Sequence, residues 1–174
     1  MHRAVLALWL SLWLPAHAQS TLPAEPSAVL KRYINLRLAM ADWTVISTLI
    51  TWPEEPSWDC YWVTSQFKLD EPRPGTDDVI VPATYYRLGR LCSDADLELF
   101  DESDRVEYHL VLSGGKWKVA GPLPDYPDIE IQTLLRRLAN SAASSGESPE
   151  RRRQLDELIR QLRAAFRAHP RVRR

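Results

Sequence analysis

Apolar residues recur over positions 28–43 near the 3.6-residue helical period. Val29, Leu30, Tyr33, Ile34, Leu36, Met40 and Trp43 mark one face of an amphipathic helix, with Ser27 placed to cap it. A second helical stretch carries Val45, Ile46, Leu49 and Ile50 inward. It stops at Trp52-Pro53, because the residue before a proline is pushed out of helical geometry. After a turn-rich connection over 53–59 the period drops to two: Tyr61, Val63, Phe67 and Leu69 face one way, and Thr64, Gln66 and Lys68 the other, as in a strand buried on one face. Positions 79–88 are apolar on both faces and predict a central strand. Pro82, which has no N–H for a ladder, predicts a bulge or break there. Positions 94–104 read as an acidic loop. A strand through Val106, Tyr108, Leu110 and Leu112 then turns at Ser113-Gly114-Gly115 into a return strand carrying Trp117 and Val119, which ends at Gly121-Pro122.

Asp128 is placed to cap a third helix with Ile131, Leu134, Leu135 and Leu138 inward. Small polar residues over 141–147 have the composition of a flexible linker. Ser148-Pro149 then pairs an N-cap with proline at the first helical position, opening an arginine-rich amphipathic helix over 148–170. Its stripe of Leu155, Leu158, Ile159, Leu162 and Phe166 must be buried somewhere: against its own domain, a partner, or a membrane surface. The class is α+β: N-terminal helices on a curved antiparallel sheet of about four strands, with C-terminal helices appended, all within positions 19–140 apart from the last helix.

The first 18 residues change the setting. Arg3 precedes an apolar run from Ala4 to Leu14, and Pro15-Ala16-His17-Ala18 ends it with small residues at the cleavage-determining positions, the pattern of a secretory signal peptide. The expected destination is the periplasm or the extracellular space, with a mature chain starting near Gln19. Cys60 and Cys92 would then lie in a compartment where disulfides persist. A hairpin through 72–78 sets Cys60 opposite about Arg87 and Cys92 just past the strand end. That leaves open either a bridge or two separate thiols.

Charge is divided along the chain. Positions 19–147 hold 12 basic and 20 acidic residues, net −8, whereas 148–174 hold 9 and 3, net +6. The basic tail can dock on the acidic body or meet anionic head groups; export and the absence of base-stacking aromatics argue against nucleic acid. Only His109 and His169 follow the leader, so no metal or cofactor is implied, and no nucleophile motif is present. Asp42, Asp59, Tyr33, Tyr61, Tyr85 and Tyr108 include the groups an acid–base site would need, but no spacing singles out any of them, so no catalytic residue is assigned. Trp52, Trp58 and Trp62 form the densest aromatic group, where the helical half meets the sheet. With Tyr61 and Tyr33 they either cover the core or line a site for an apolar ligand or peptide, and Glu54, Glu55 and Asp59 beside them favour a cationic or amphipathic one.

The long leading helix, the strand after Asp59-Cys60-Tyr61-Trp62-Val63 and the hairpin closing with Gly114-Gly115-Lys116-Trp117-Lys118-Val119-Ala120-Gly121-Pro122 resemble the cystatin-like α+β cone superfamily, which includes nuclear transport factor two and ketosteroid isomerase. The likeness covers positions 28–122. It implies a pit between the leading helix and a concave sheet, but no particular chemistry, since that superfamily holds isomerases, hydrolases and binding domains alike. The expected function is a noncatalytic, exported domain that binds a small apolar ligand or a protein segment. The alternatives are a small isomerase- or hydrolase-like enzyme using the pit, and an envelope-associated module using the basic helix.

Overall fold

Two β-bulges at the same level of neighbouring strands divide the interior into two cores, one on each face of a single curled sheet. The computed structural model describes residues 25–92, 96–144 and 146–169; the expected leader and its cleavage site lie outside them. The elements run α1 (Pro26–Leu38), α2 (Trp43–Ile46), a 3-10 turn (Ser47–Leu49), β1 (Cys60–Leu69), β2 (Arg73–Pro74), β3 (Val79–Cys92), β4 (Asp96–Ser113), β5 (Lys116–Gly121), β6 (Asp128–Glu130), α3 (Ile131–Ala142) and α4 (Pro149–Ala168). The fold is α+β, but the sheet has six strands and is mixed. Its order is β5-β4-β3-β1-β6 with β2 paired to β3, and β6 lies parallel to β1.

β1 does not keep one apolar face. Its pairing with β3 shifts between Val63 and Gln66, and Thr64 is set opposite Arg87 while Val63 is set opposite Gly89. One extra residue on each strand, Ser65 on β1 and Leu88 on β3, reverses that strand's period-two alternation. Tyr61 and Val63 therefore join the core made with α3 and α4, while Phe67 and Leu69 join the core under α1. β3 makes the same exchange at Arg87/Gly89, with Val81, Ala83 and Tyr85 under α1, and Leu88 and Leu91 under α3 and α4. Gly89 has no alternative residue at this crossing, because a Cβ there would lie 2.3 Å from the backbone oxygen of Glu98.

Pro82 stays in the ladder opposite Glu107, contrary to the bulge expected there. Its carbonyl accepts from Asp70 N just beyond the last residue of β1, so its nitrogen points where no ladder bond is needed. The expected acidic loop is also strand: β4 starts at Asp96 and pairs with β3 as far as Cys92↔Asp96. From Asp96 to Glu107 its outer edge lacks a partner strand among the described residues, and charged side chains keep such an edge from pairing with another chain. The Gly114-Gly115 turn forms as expected, with φ of 58° and 75°.

Helix boundaries moved where local capping decided them. α1 starts from Glu25 with Pro26 in its first turn, so Ser27 is not the cap. The same helix closes at Leu38: Ala41 N donates to Leu36 O and Met40 N to Arg37 O, with Met40 at φ 51°, a Schellman closure that usually takes glycine. Asp42 then caps α2 by accepting from Thr44 N at 2.8 Å. Asp128 is not a cap; it is strand, and Glu130 caps α3 by accepting from Thr133 N at 2.7 Å. Ser148 caps α4 through Arg151 N, as its pairing with Pro149 predicted.

The α4 stripe is not a free surface. Leu155, Leu158, Ile159 and Leu162 are buried against α3 and the sheet, and Phe166 packs at their margin. At the end of α4 the buried His169 places Nε2 2.9 Å from Asp101 Oδ1 on β4, without hydrogen-bond geometry. Cys60 and Cys92 form a disulfide, their Cα atoms 4.1 Å apart and directly paired across β1 and β3. β2 pairs with Val79 and Ile80 at the start of β3, so Leu69 pairs with Ala83, and that register sets Cys60 opposite Cys92 rather than about Arg87.

Candidate functional site

The α1 face of the sheet carries polar groups where the two cores cross over. Thr64 on β1, Arg87 on β3 and Asp128 on β6 share that face and are all buried. Asp128 Oδ1 accepts from Thr64 Oγ1 at 2.6 Å and from Arg87 Nε at 3.2 Å; its Oδ2 accepts from Arg87 Nη2 at 3.4 Å. Arg87 Nη1 donates to the half-exposed Asp104 at 2.7 Å. The same guanidinium lies 4.6 Å from the Trp62 ring centroid and 5.5 Å from that of Tyr85. Burial raises the Asp128 carboxyl above its ordinary range, and the Arg87 charge and the Thr64 hydrogen bond only partly offset it.

Beside this network lie three buried phenols. Tyr85 and Tyr108 join their hydroxyls at 2.8 Å, and Tyr33 packs edge-on against Tyr108. Burial raises all three, Tyr33 to about 12. Each hydroxyl of the pair is committed to the other, and each oxygen of Asp128 to a donor. No group of His, Cys, Asp or Glu among the described residues is arranged to hold a metal ion.

Three adjoining hollows share Asp128. The smallest, about 10 Å³ between Tyr33, Tyr85 and Tyr108, holds at most one water. A second, of about 130 Å³, lies between Arg37, Ile46, Glu55, Trp58 and Tyr61. Here Arg37 stacks 4.6 Å from the Trp58 ring, with one terminal nitrogen buried and without a hydrogen-bond partner, while Trp58 Nε1 donates to Pro124 O at 3.2 Å. The third and largest holds about 290 Å³. Trp62, Tyr108 and Tyr126 wall it, with Val106 and Leu123, and Arg87, Asp104 and Asp125 also line it. Trp62 meets Tyr126 and Phe100 edge-on at 5.6 and 5.9 Å, which holds the indole upright in the wall.

Of the aromatic residues singled out by sequence, Trp58 and Tyr61 line the second hollow, Trp62 the third and Tyr33 the smallest. Trp52 lines none of these three; it packs on Tyr33 at the margin of the α1 core, its indole N–H buried and unpartnered. Glu55 reaches the second hollow; Glu54 and Asp59 line none of the three. The charges that matter at the largest one, Asp104, Asp125, Asp128 and Arg87, were not anticipated. Two signals were available: an arginine embedded in the apolar run of β3, and the alternation of Ile129 and Ile131 around Glu130, which marks strand rather than helix. The chain matches no protein-family model, no curated protein and no solved structure.

Proposed function

We propose that this chain is an exported, noncatalytic binding domain that takes a small amphipathic ligand with a cationic head in the 290 Å³ hollow between Trp62, Tyr108 and Tyr126. The observation that carries the reading is the pairing of aromatic and apolar walls with an acidic surplus. Three aspartates and one arginine line the hollow. Aromatic faces and carboxylates together recognise ammonium groups, and Leu123, 52% exposed at the mouth, offers apolar surface to the rest of such a ligand.

Export rests on the leader pattern at 1–18, supported by the Cys60–Cys92 bridge; no helix among the described residues is long and apolar enough to cross a membrane. An isomerase- or hydrolase-like site would use Asp128 as its acid or base. Both of its oxygens are already held by Arg87 and Thr64, which favours binding over catalysis. An envelope-docking role through the α4 stripe has less support, because that stripe is covered by its own chain.

Octyltrimethylammonium, titrated into the full chain and followed by tryptophan fluorescence, should bind saturably and more tightly than the uncharged octyl glucoside. The Trp62→Ala variant should lose that binding while remaining folded by circular dichroism. Equal affinity for the two detergents, or binding unchanged by Trp62→Ala, would overturn the assignment.

A further inference from the structure

On the opposite face of the sheet lies a larger cavity of about 560 Å³, outside the site around Asp128. Leu91, Ile129, Leu134, Leu138 and Leu155, each of them buried, give it an apolar floor, while Arg137, Ser141, Glu147 and Arg151 make the rest of its lining polar. Met40 and Tyr61 separate it from the 130 Å³ hollow, since both residues line both. Its volume lies within the roughly 300–1,000 Å³ of small-molecule sites.

The rim supplies a direction. Arg137 on α3 is exposed at the mouth, and its one hydrogen bond among the described residues is from Nη1 to the Met40 sulfur at 3.0 Å, a weak acceptor for a guanidinium. Arg151 stands at the rim from α4 and is engaged within its own helix through Gln154 at 3.5 Å; Glu147 is the one acidic residue at the rim. A planar guanidinium lacking an oxygen partner, set above an apolar floor, is suited to a carboxylate whose tail runs inward.

We infer that this cavity is a binding site for a free single-chain monocarboxylate, a fatty acid, with its acyl chain on Leu134, Leu138 and Leu155 and its carboxylate on Arg137. The site is independent of the hollow at Trp62 and prefers the opposite head-group charge.

The test is a calorimetric titration of the full, disulfide-bonded chain with decanoate. In the Trp62→Ala variant, which lacks the cation-binding hollow, decanoate should bind saturably, one per chain, and decyltrimethylammonium at least about tenfold more weakly. Arg137→Gln removes one charge-assisted partner from an exposed position and should weaken decanoate by about tenfold or more while leaving the fold intact. Ser141→Trp, at the mouth on the last turn of α3, should block binding without changing the charge, and Trp62→Ala should leave it unchanged. Absence of saturable binding, insensitivity to both Arg137→Gln and Ser141→Trp, or loss of binding in Trp62→Ala would overturn the assignment. So would binding to phosphatidylglycerol vesicles that exceeds binding to dispersed decanoate, since the ligand would then be a membrane surface.

Discussion

Replacing Asp128 by alanine tests the centre of the molecule. The substitution removes the buried counter-ion of Arg87 and the acceptor of the Thr64 hydroxyl, in a place where the Arg87 and Asp128 side chains are only 11% and 8% exposed. Solvent screening therefore gives little relief. Breaking a buried pair by removing one partner costs about 3–5 kcal/mol, because the remaining charge is left in a low-dielectric site. Arg87 keeps Asp104, but that carboxylate is 49% exposed and holds only Nη1, so the expected loss is in the lower half of the range, about 3 kcal/mol. Urea denaturation followed by tryptophan fluorescence, for the wild type, Asp128→Ala, Arg87→Met and the double variant, reads the loss directly. The double variant should cost well below the sum of the single ones, since it leaves neither charge stranded. Single losses under about 1 kcal/mol that simply add would show a screened pair and refute the buried network. The sign of the pH dependence follows from the raised carboxyl. Asp128's own contribution to stability is fully present below its unfolded value near 3.9 and falls as pH rises through its raised folded value, so the wild type should lose stability relative to Asp128→Asn on going upward from about pH 4.

Tyr85→Phe should cost about 1–3 kcal/mol by leaving the Tyr108 hydroxyl buried without a partner, and adding Tyr108→Phe should cost little more, measured by the same denaturation curves. Burial raises Tyr33, Tyr85 and Tyr108 above the usual phenol range in the folded chain, so their contribution is complete below about pH 10 and is lost as pH climbs through their raised values, that of Tyr33 at about 12; tyrosinate absorbance and circular dichroism should therefore change together. Leu162→Ala, at a position 0% exposed, should destabilise by about 2–5 kcal/mol; a loss under about 1 kcal/mol would show α4 to be an appendage rather than part of the second core. Replacing both Cys60 and Cys92 by alanine releases a cross-link spanning 32 positions and should cost about 3–4 kcal/mol on the chain-entropy estimate, with thiol labelling of the unreduced wild type finding neither cysteine free.

Much of the fold was legible in local pattern. The Gly114-Gly115 turn and the Ser148-Pro149 start of α4 answer to neighbours within a few residues and formed as read, whereas the helix read over 28–43 closes at Leu38, leaving Met40 in the turn and Trp43 in α2. The apolar stripe of α4 was equally plain, but what covers it was not, because a stripe states only that burial is needed. The site was less legible. Trp58, Tyr61, Trp62 and Tyr33 reached hollows because large aromatics concentrate where elements meet, whereas Asp128 looked like an ordinary helix cap.

Taken alone, the amino-acid sequence determined the α+β class, the leader pattern, the two cysteines available to pair and the amphipathic faces, all of which depend on short-range periodicity and residue chemistry. Tertiary structure alone decided that β6 lies parallel to β1, that paired bulges pass each strand from one core to the other, and that Asp128 meets Arg87 41 positions away. The physical reason is register. A shift of one residue moves every following side chain to the other face, and that shift is set by the partner strand rather than by the strand's own residues.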